Sequence, residues 1–328
     1  MHKKHKLSLF LTIILFLFII STLTIIHTLP PLITLRKNSE FRNLNLSEAE
    51  YSNVTVISDG YAGIYWNDGD SSVPDIAVDD SGGIHVVWHD ETNGEWGTDE
   101  EIMYANYTEA TGWSNVTVIS DGYAGIYWND GYSSWPSIAV DNSGGIHAVW
   151  QDSTNGEWGT DSEIMYANYT NADGWSNVSV ISDGYAGIYW NDDYSSFPSI
   201  AVDNSGGIHV VWHDDTNGEW GTDFEIMYAN YLKADGWSNP TVISDGYAGI
   251  YWNDGISGHP KIAVDNSGGI HVVWYDYTNG AWGTDEEIMF TSVSISATQL
   301  GSIPFGNFYL IIMIIGTLGL IVYLKRKL

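Results

Sequence analysis

The sequence predicts an all-β protein, a four-bladed β-propeller with a transmembrane helix at each end of the chain. The string Ile-Ser-Asp-Gly-Tyr-Ala-Gly-Ile-Tyr-Trp occurs four times at a spacing of 62 residues, beginning at Ile57, Ile119, Ile181 and Ile243. Repeats of this length are typical of propellers and solenoids. No part of the repeats combines a helical period with capping residues. The repeated region is therefore expected to consist of strands.

Each repeat contains four short segments rich in Val, Ile, Tyr and Trp, bounded by Gly, Asn and Asp. In the second repeat these predicted strands are 136–141, 146–152, 163–169 and 175–182. The first two are joined by Asn-Ser-Gly-Gly at 142–145, which suits a tight hairpin because glycine accepts a positive φ. Four short antiparallel strands make one propeller blade.

The phase of the repeat predicts how the ring closes. The first copy begins with a lone fourth strand at 52–58, and the last copy lacks its own fourth strand. A closed ring removes free sheet edges, so we expect 52–58 to complete the last blade. An open array, or two chains sharing an eight-bladed ring, are the alternatives. The predicted propeller spans 51–295, with blades at about 72–120, 134–182, 196–244 and 258–294.

Both ends of the chain are predicted to be membrane segments. An apolar run at 7–26 follows three lysines and is long enough to cross a hydrocarbon core of about 30 Å. We interpret it as a signal anchor, with a cleaved signal peptide as the alternative. A second apolar run at 308–324 precedes Lys-Arg-Lys, as in a stop-transfer segment. The predicted order is anchor 1–30, linker 31–50, propeller, linker 296–306, transmembrane helix 307–324 and cytoplasmic basic tail 325–328.

Charge and composition place the propeller outside the cell. The chain has a formal net charge of −30 and no cysteine, and only two of its lysines lie in the repeats. Such acidity argues against nucleic acid as a partner, because phosphates need basic patches. Sequons for N-glycosylation, such as those at Asn106 and Asn168, agree with an external location. The predicted location is the cell membrane, with the propeller outside.

The turns that link the third and fourth strands resemble a known motif. Gly-Trp-Ser at 112–114 and Ala-Asp-Gly-Trp-Ser at 172–176 and 234–238 resemble a shortened Asp-box, the turn of sialidase-like (BNR/Asp-box) propellers. The strand pair at 201–212 looks like repeats of archaeal surface proteins of that group. The complete Asp-box is absent. The resemblance covers 51 to about 294 and implies the fold, because the Asp-box of that family is structural.

The resemblance also raises glycoside hydrolysis, which the sequence does not favour. Sialidases of that family hold the sugar carboxylate with three arginines, whereas this chain has arginine only at 36, 42 and 326, outside the repeats. Glycosidases need two carboxylates in distinct environments, and nearly every carboxylate here recurs in each copy. His85, His147, His209 and His271 also recur, and we interpret them as rings packed between blades and bonded to backbone or an acidic neighbour.

Long loops are predicted on one face of the ring, after the second and fourth strands, and binding sites commonly lie on such loops. Aromatic side chains recur there and are candidates for stacking on a sugar or a partner surface. The alternative is that they fold down and stabilise the loops. The candidates are Tyr61, Trp66, Trp96, Tyr123, Trp128, Trp158, Tyr185, Trp190, Trp220, Tyr247, Trp252 and Trp282.

The same loops carry aspartates among glycines and asparagines. Clustered carboxylates and carbonyls suit Ca²⁺, which takes about six to eight oxygen ligands. The candidate metal ligands are Asp68, Asp99, Asp130, Asp161, Asp192, Asp223, Asp254 and Asp285. No EF-hand spacing is present. A calcium site would instead be formed by these loop aspartates, and calcium is the only cofactor that the sequence indicates.

One variable set distinguishes the copies at the start of the first strand. It comprises Val73, Trp135, Phe197 and His259, followed two residues later by Asp75, Ser137, Ser199 and Lys261. Ring closure predicts an ion pair between Asp75 and Lys261. The function that the sequence favours is a membrane-anchored module that binds an extracellular glycan or protein, with calcium assistance. A glycoside hydrolase and a structural cell-envelope protein are the alternatives.

Overall fold

The computed structural model describes most of the repeats. The described residues are 53–59, 67–94, 96–121, 129, 131–156, 158–183, 191, 193–218, 220–245, 253, 255–280 and 283–293. The chain divides into two units, Met1–Val54 and Thr55–Leu328, and the strands of the described residues lie in the second. Within the described ranges there is no helix, and so none that is long and apolar enough to cross a membrane. The two predicted membrane segments lie outside those ranges.

In the described part of the chain, eighteen strands form four sheets, which we number as blades in chain order. Blade 1 contains β1 (Ser71–Val78), β2 (Ile84–Asp90), β3 (Glu101–Thr108), β4 (Gly112–Trp113) and β5 (Thr117–Val118). Blade 2 contains β6 (Ser133–Val140), β7 (Ile146–Asp152), β8 (Glu163–Thr170), β9 (Gly174–Trp175) and β10 (Ser179–Val180).

Blade 3 contains β11 (Ser195–Val202), β12 (Ile208–Asp214), β13 (Glu225–Leu232), β14 (Gly236–Trp237) and β15 (Thr241–Val242). Blade 4 contains β16 (Ser257–Val264), β17 (Ile270–Asp276) and β18 (Glu287–Val293). Neighbouring strands in every blade pair antiparallel. The predicted all-β class and the repeated blade are thus confirmed.

The fourth strand of each of the first three blades differs from the prediction because it is split in two. In blade 2, β9 and β10 both pair with β8, and Ser176 lies in the gap between them. The Asn168 amide donates to Ser176 Oγ at 3.0 Å, so a side-chain oxygen replaces a backbone carbonyl in the ladder. This substitution interrupts the regular pairing expected over 175–182.

A bulge interrupts the first strand of each blade. The register between β6 and β7 shifts between Ser134 and Ser137, and Trp135 in that gap has a φ of 53°. The equivalent residues Val73, Phe197 and His259 also have positive φ, between 47° and 52°. Such a conformation is uncommon for residues other than glycine, and β-bulges redirect side chains at the rims of sheets. Here the bulge takes these four residues out of the regular pairing with the second strand.

The hydrophobic core lies between successive blades. Val87, Ile102 and Tyr104 of blade 1 pack against Ile138 and Trp150 of blade 2. The same arrangement recurs between blades 2 and 3 and between blades 3 and 4. Burying large aliphatic and indole groups on both sides of each interface fixes the order of the blades.

The predicted closure of the ring is not confirmed. Residues 53–57 form no strand, and β18 pairs only with β17 among the described residues. The predicted ion pair between Asp75 and Lys261 is also absent from the ion pairs of the described residues, which all join histidine to aspartate. Asp75 Oδ2 instead accepts hydrogen bonds from Ser137 Oγ and the Ile138 amide, both at 2.9 Å, because blade 2 is its neighbour.

Candidate binding site

A chain of three polar side chains lies where the first strand of each blade turns into the second. In blade 2, the His147 ring contacts Tyr166 Oη at 2.9 Å through Nδ1 and Asp141 Oδ2 at 3.2 Å through Nε2. Asp141 Oδ1 accepts hydrogen bonds from the amides of Ser143 and Gly145. Burial lowers the pKa of His147, so its ring is neutral near pH 7. The pair of histidine and aspartate recurs in all four blades, and the histidine is buried in blades 1 to 3 and half-buried in blade 4.

A groove lies between blades 1 and 2, beside these histidine chains. Its volume is about 810 Å³, within the range of about 300–1,000 Å³ common for small-molecule sites. Amide and hydroxyl side chains supply most of its polar wall. They are Asn106, Thr108, Ser114, Asn115 and Thr117 from blade 1 and Asn142, Ser143 and Asn171 from blade 2.

One wall of this groove is aromatic. The half-buried Trp175 ring packs edge-on against Tyr104 at 5.1 Å between centroids and lies 5.6 Å from the Tyr169 ring. All three side chains line the groove. Because Tyr104 and Tyr169 hold the indole on two sides, Trp175 offers a fixed apolar surface next to the amide groups.

The Asp79 carboxylate of the groove is ionised. The Ser81 hydroxyl and the Gly83 amide donate to Asp79 and lower the pKa of that carboxyl to about 2. Asp80 is the other acid among the described lining residues, and no arginine or lysine accompanies them there. The groove is therefore negative at neutral pH, which favours an uncharged or cationic ligand over an anionic one.

A second polar network lies at the opposite end of each interior interface. Glu101 of blade 1 accepts hydrogen bonds from Ser120 Oγ at 2.5 Å and from Asn129 Nδ2 at 3.0 Å. Asn129 Nδ2 also donates to Ser133 Oγ of blade 2, which in turn donates to Asp152. Burial raises the pKa of Glu101 and Glu163 to about 9 and that of Glu225 to about 8. These glutamates are protonated at neutral pH and join the blades.

The variable set meets in a small cavity at the start of the first strands. The cavity, of about 190 Å³, is lined by Val73, Trp135, Phe197 and His259, together with neighbouring residues that include Lys261. The Phe197 ring lies 4.5 Å from Trp135 and 3.9 Å from His259 between centroids. Burial and the nearby His259 lower the pKa of His213, beneath this stack, to about 4. The side chains that differ most between copies thus share one place.

The structure describes only three of the predicted aromatic ligand-binding residues, Trp96, Trp158 and Trp220. Each indole is half-buried and donates its Nε1 hydrogen to the carbonyl of the threonine four residues earlier, at 2.9 to 3.0 Å. A Cβ at Gly156 would lie 2.3 Å from the Trp158 ring, so glycine is required beneath it. These three indoles fold down onto their loops. Their predicted ligand contacts, and those of the nine predicted aromatics outside the described residues, stay predictions.

The predicted metal ligands are only partly described. Asp130, Asp192 and Asp254 lie outside the described residues, whereas Asp68 and Asp285 are exposed. Asp99 and Asp161 each accept a hydrogen bond at 3.1 Å from the amide of the preceding threonine. Over the described ranges, no group of three or more His, Asp or Glu side chains is arranged to hold a metal ion. Calcium binding stays a prediction.

The groove between blades 1 and 2 was missed because binding was expected on the long loops. The lining residues instead belong to the short turns and the third strands of the other end. The available signal was the density of aspartate, asparagine and serine in the turns at 79–83 and 141–145 and in the link at 171–176. The positions His89, Gln151, His213 and Tyr275 were also missed, although they differ between copies and lie next to the variable set.

Comparison of the sequence with models of known families and with curated proteins finds no match. Solved structures match in fold at low similarity. A Hadza microbial sialidase, Hz136, is 14% identical with a TM-score of 0.43, and the match covers 67% of this chain and 44% of that chain. The endo-arabinase from Bacteroides thetaiotaomicron VPI-5482 is 12% identical with a TM-score of 0.42, covering 71% and 78%. The GH93 α-L-arabinofuranosidase of Fusarium graminearum is 10% identical with a TM-score of 0.47, covering 69% and 63%.

Proposed function

We propose that the protein is a surface module that binds a neutral glycan in the groove between blades 1 and 2. The observation that carries this proposal is the groove itself, in which a braced Trp175 stands beside a wall of amides and hydroxyls. Asn, Ser and Thr side chains both donate and accept hydrogen bonds, as sugar hydroxyls require. An indole provides the apolar surface for the C–H face of a sugar ring.

The charge of the groove supports a neutral rather than an acidic sugar. Asp79 and Asp80 line it, and the low pKa of Asp79 keeps that carboxylate charged at every physiological pH. A sialic or uronic acid would bring a further negative charge to a site whose described lining contains no lysine or arginine. Like charges in a partly desolvated cleft repel, so acidic sugars are expected to bind weakly.

Binding is favoured over hydrolysis by the same electrostatics. Glycosidases pair an ionised carboxylate with a carboxylic acid whose raised pKa lets it protonate the leaving group. In the described lining, Asp79 has a lowered pKa, which makes it a poor proton donor at neutral pH. The glutamates with raised pKa, such as Glu101, lie in the buried network at the other end of the blade interface. We therefore assign recognition, and not bond cleavage, to the groove.

The external location and the membrane anchors belong to the same proposal and rest on the sequence. The apolar segments 7–26 and 308–324 and the basic residues beside them support a propeller held outside the membrane. The aspartate-rich loops support calcium assistance. A glycan at the cell surface is the kind of ligand that such a location provides.

Glycan-array binding of the full-length protein in mild detergent tests the proposal, with and without EDTA. We expect neutral oligosaccharides to bind, and sialylated ones to give at least tenfold weaker signals. Asn115→Ala, in the groove, is expected to reduce binding about tenfold. Asn239→Ala, the equivalent exposed position in blade 3, is the matched control and should bind like wild type. Absence of any bound glycan, or equal loss in both variants, would contradict the assignment.

A further inference from the structure

Every interior interface joins the same two faces. The forward face of a blade carries the equivalents of Val87, Ile102 and Tyr104, and it contacts the next blade in the chain. The backward face carries the equivalents of Ile146, Trp150 and Met165, and it contacts the preceding blade. Three interfaces with one pattern show which surfaces of this repeat are complementary.

The polar network at each interface is divided between the same two partners. The preceding blade supplies a glutamate from its third strand and a serine that follows its fourth strand, as Glu163 and Ser182 do for blade 2. The following blade supplies an asparagine, a serine and an aspartate, as Asn191, Ser195 and Asp214 do for blade 3. A complete interface therefore contains all five side chains.

The forward face of blade 4 lacks a partner blade within the described residues. Ile288 is 72% exposed, whereas its equivalent in blade 3, Ile226, is fully buried. Phe290 and Val273 are exposed in the same way, and Glu287 has lost the full burial of Glu225. The forward face of blade 4 thus carries one half of an interface, with both its apolar side chains and its glutamate. Within the described residues, no second half covers it.

Blade 1 displays the other half. Asn67 Nδ2 donates to Ser71 Oγ, as the equivalent asparagines donate to their serines in the other blades, and also to Asp90 Oδ2. It has no glutamate partner among the described residues. Ile57 packs on the backward face of blade 1, where Ile119 packs on the backward face of blade 2. Residues 55–59 thus hold the place of an outer strand that belongs to a preceding blade.

Among the described residues, the two halves do not meet within one chain. The first strands of successive blades pack side by side, β1 on β6, β6 on β11 and β11 on β16, whereas β1 and β16 do not pack in this way. Because β1 and β16 do not pack together in the described part of the chain, each half is available to a partner from outside it. A second copy carries the matching half in the matching register.

We propose that the forward face of blade 4 binds the backward face of blade 1 of a second copy, whose residues 55–59 complete β18. The repeat fixes the register. Tyr104 pairs with Thr117, Tyr166 with Ser179 and Tyr228 with Thr241, so Phe290 pairs with Thr55 of the second copy. Glu287 then accepts hydrogen bonds from Ser58 and Asn67. Two copies that exchange these contacts at both ends leave no open face, which is the condition for a closed ring.

Cysteine cross-linking tests this pairing without interference, since the chain has no cysteine. Opposed residues of antiparallel strands lie within the Cα separation that a disulfide spans. Full-length Thr55→Cys and Phe290→Cys proteins, purified separately in mild detergent, are mixed and oxidised. We expect a covalent dimer of one of each. The matched control mixes Thr241→Cys with Phe290→Cys, because Thr241 is already paired with Tyr228, and it should stay monomeric.

The double variant with both cysteines distinguishes the second copy from closure within one chain. A second copy gives covalent dimers in the double variant as well as in the mixture. A disulfide that forms only inside single chains would overturn the proposal in favour of a closed four-bladed ring. No disulfide in either preparation would overturn it too, because the two faces would then not meet at all.

Solution mass provides an independent measurement. Light scattering of the full-length protein should give two copies per particle. Ile288→Asp places a charge in the centre of the proposed interface and is expected to weaken association at least tenfold. Ile256→Asp changes an exposed apolar residue outside this face and should leave the mass unchanged. A monomer for wild type, or the same mass for Ile288→Asp as for wild type, contradicts the proposal.

Discussion

Blades 3 and 4 have nearly the same strands, but their side chains lie in very different surroundings. The second strands read Ile-His-Val-Val-Trp-His-Asp and Ile-His-Val-Val-Trp-Tyr-Asp. In blade 3 every residue of that strand is buried, whereas in blade 4 Val273 is exposed and His271 is half-buried. Tyr228 is 6% exposed and its counterpart Phe290 is 63% exposed.

The difference shows that the interface, and not the blade, is the stable unit of this protein. A blade has two apolar faces, and each is buried only by a neighbour. In repeat architectures stability is approximately a sum of repeat and nearest-neighbour terms, so an end blade lacks one favourable term. Substitutions at equivalent positions in blades 3 and 4 therefore measure what a neighbour contributes.

The largest expected effect is at the isoleucine that begins the third strand's apolar face. Ile226→Ala removes a fully buried side chain and should lower the free energy of unfolding by about 2–5 kcal/mol. Ile288→Ala, at the equivalent exposed position, should change it by less than about 0.5 kcal/mol at protein concentrations where copies do not associate. Urea denaturation of the two variants measures both. Equal losses would show that blade 4 is covered within a single chain.

The polar network gives the next effect. Asn191→Ala removes the buried amide that donates to Glu163 and Ser195, and it should cost about 1–3 kcal/mol because those acceptors lose a donor. Asn67→Ala is the matched variant at the chain end, where the asparagine is half-buried and has no glutamate partner among the described residues. It should cost less. A larger loss for Asn67→Ala in denaturant titrations would reverse this ranking.

The buried glutamates predict a dependence on pH. The pKa of Glu163 is about 9 in the folded protein and about 4.5 when exposed, so the folded state holds the proton more tightly. Its contribution to stability is complete below about pH 4.5 and is lost as the pH rises towards 9. Thermal melts from pH 5 to 8 should therefore show wild type losing stability with pH more steeply than Glu163→Gln. The difference reaches at most about 1.4 kcal/mol per pH unit. Parallel curves would contradict the protonated state.

The smallest effect is expected at the bulge. Val73 has a φ of 49°, which is strained for a β-branched residue, and Asn tolerates that region better. Val73→Asn should raise the free energy of unfolding by up to about 1 kcal/mol. Trp135 has a similar positive φ, but Trp135→Asn also removes the ring contact with Phe197, so this substitution should be destabilising. Calorimetry of both variants measures whether each substitution raises or lowers the free energy of unfolding. A destabilised Val73→Asn would mean that the packing of the valine outweighs the backbone strain.

Much of the blade was predictable because its signals are local. The glycines of the Asn-Ser-Gly-Gly turn, the alternation of Val and Trp in the second strand and the period of 62 residues each act within one repeat. The split of the fourth strand was not predictable, since it depends on Ser176 reaching the Asn168 amide across the sheet. The groove was also missed, because Trp175 becomes a wall only when Tyr104 of the preceding blade packs against it.

The sequence by itself determined that the repeats form strands, that each copy makes one blade, and that the histidines are packed beside an acidic neighbour. These features follow from periodicity, turn chemistry and residue type. These signals act within one repeat and do not depend on which blades pack against it. Only the tertiary structure decided which faces are buried, which glutamates hold a proton, and that β18 pairs only with β17 among the described residues. The physical reason is that burial is a property of packed blades. Because the repeats are nearly identical, the sequence of one repeat does not show whether a neighbouring blade covers it.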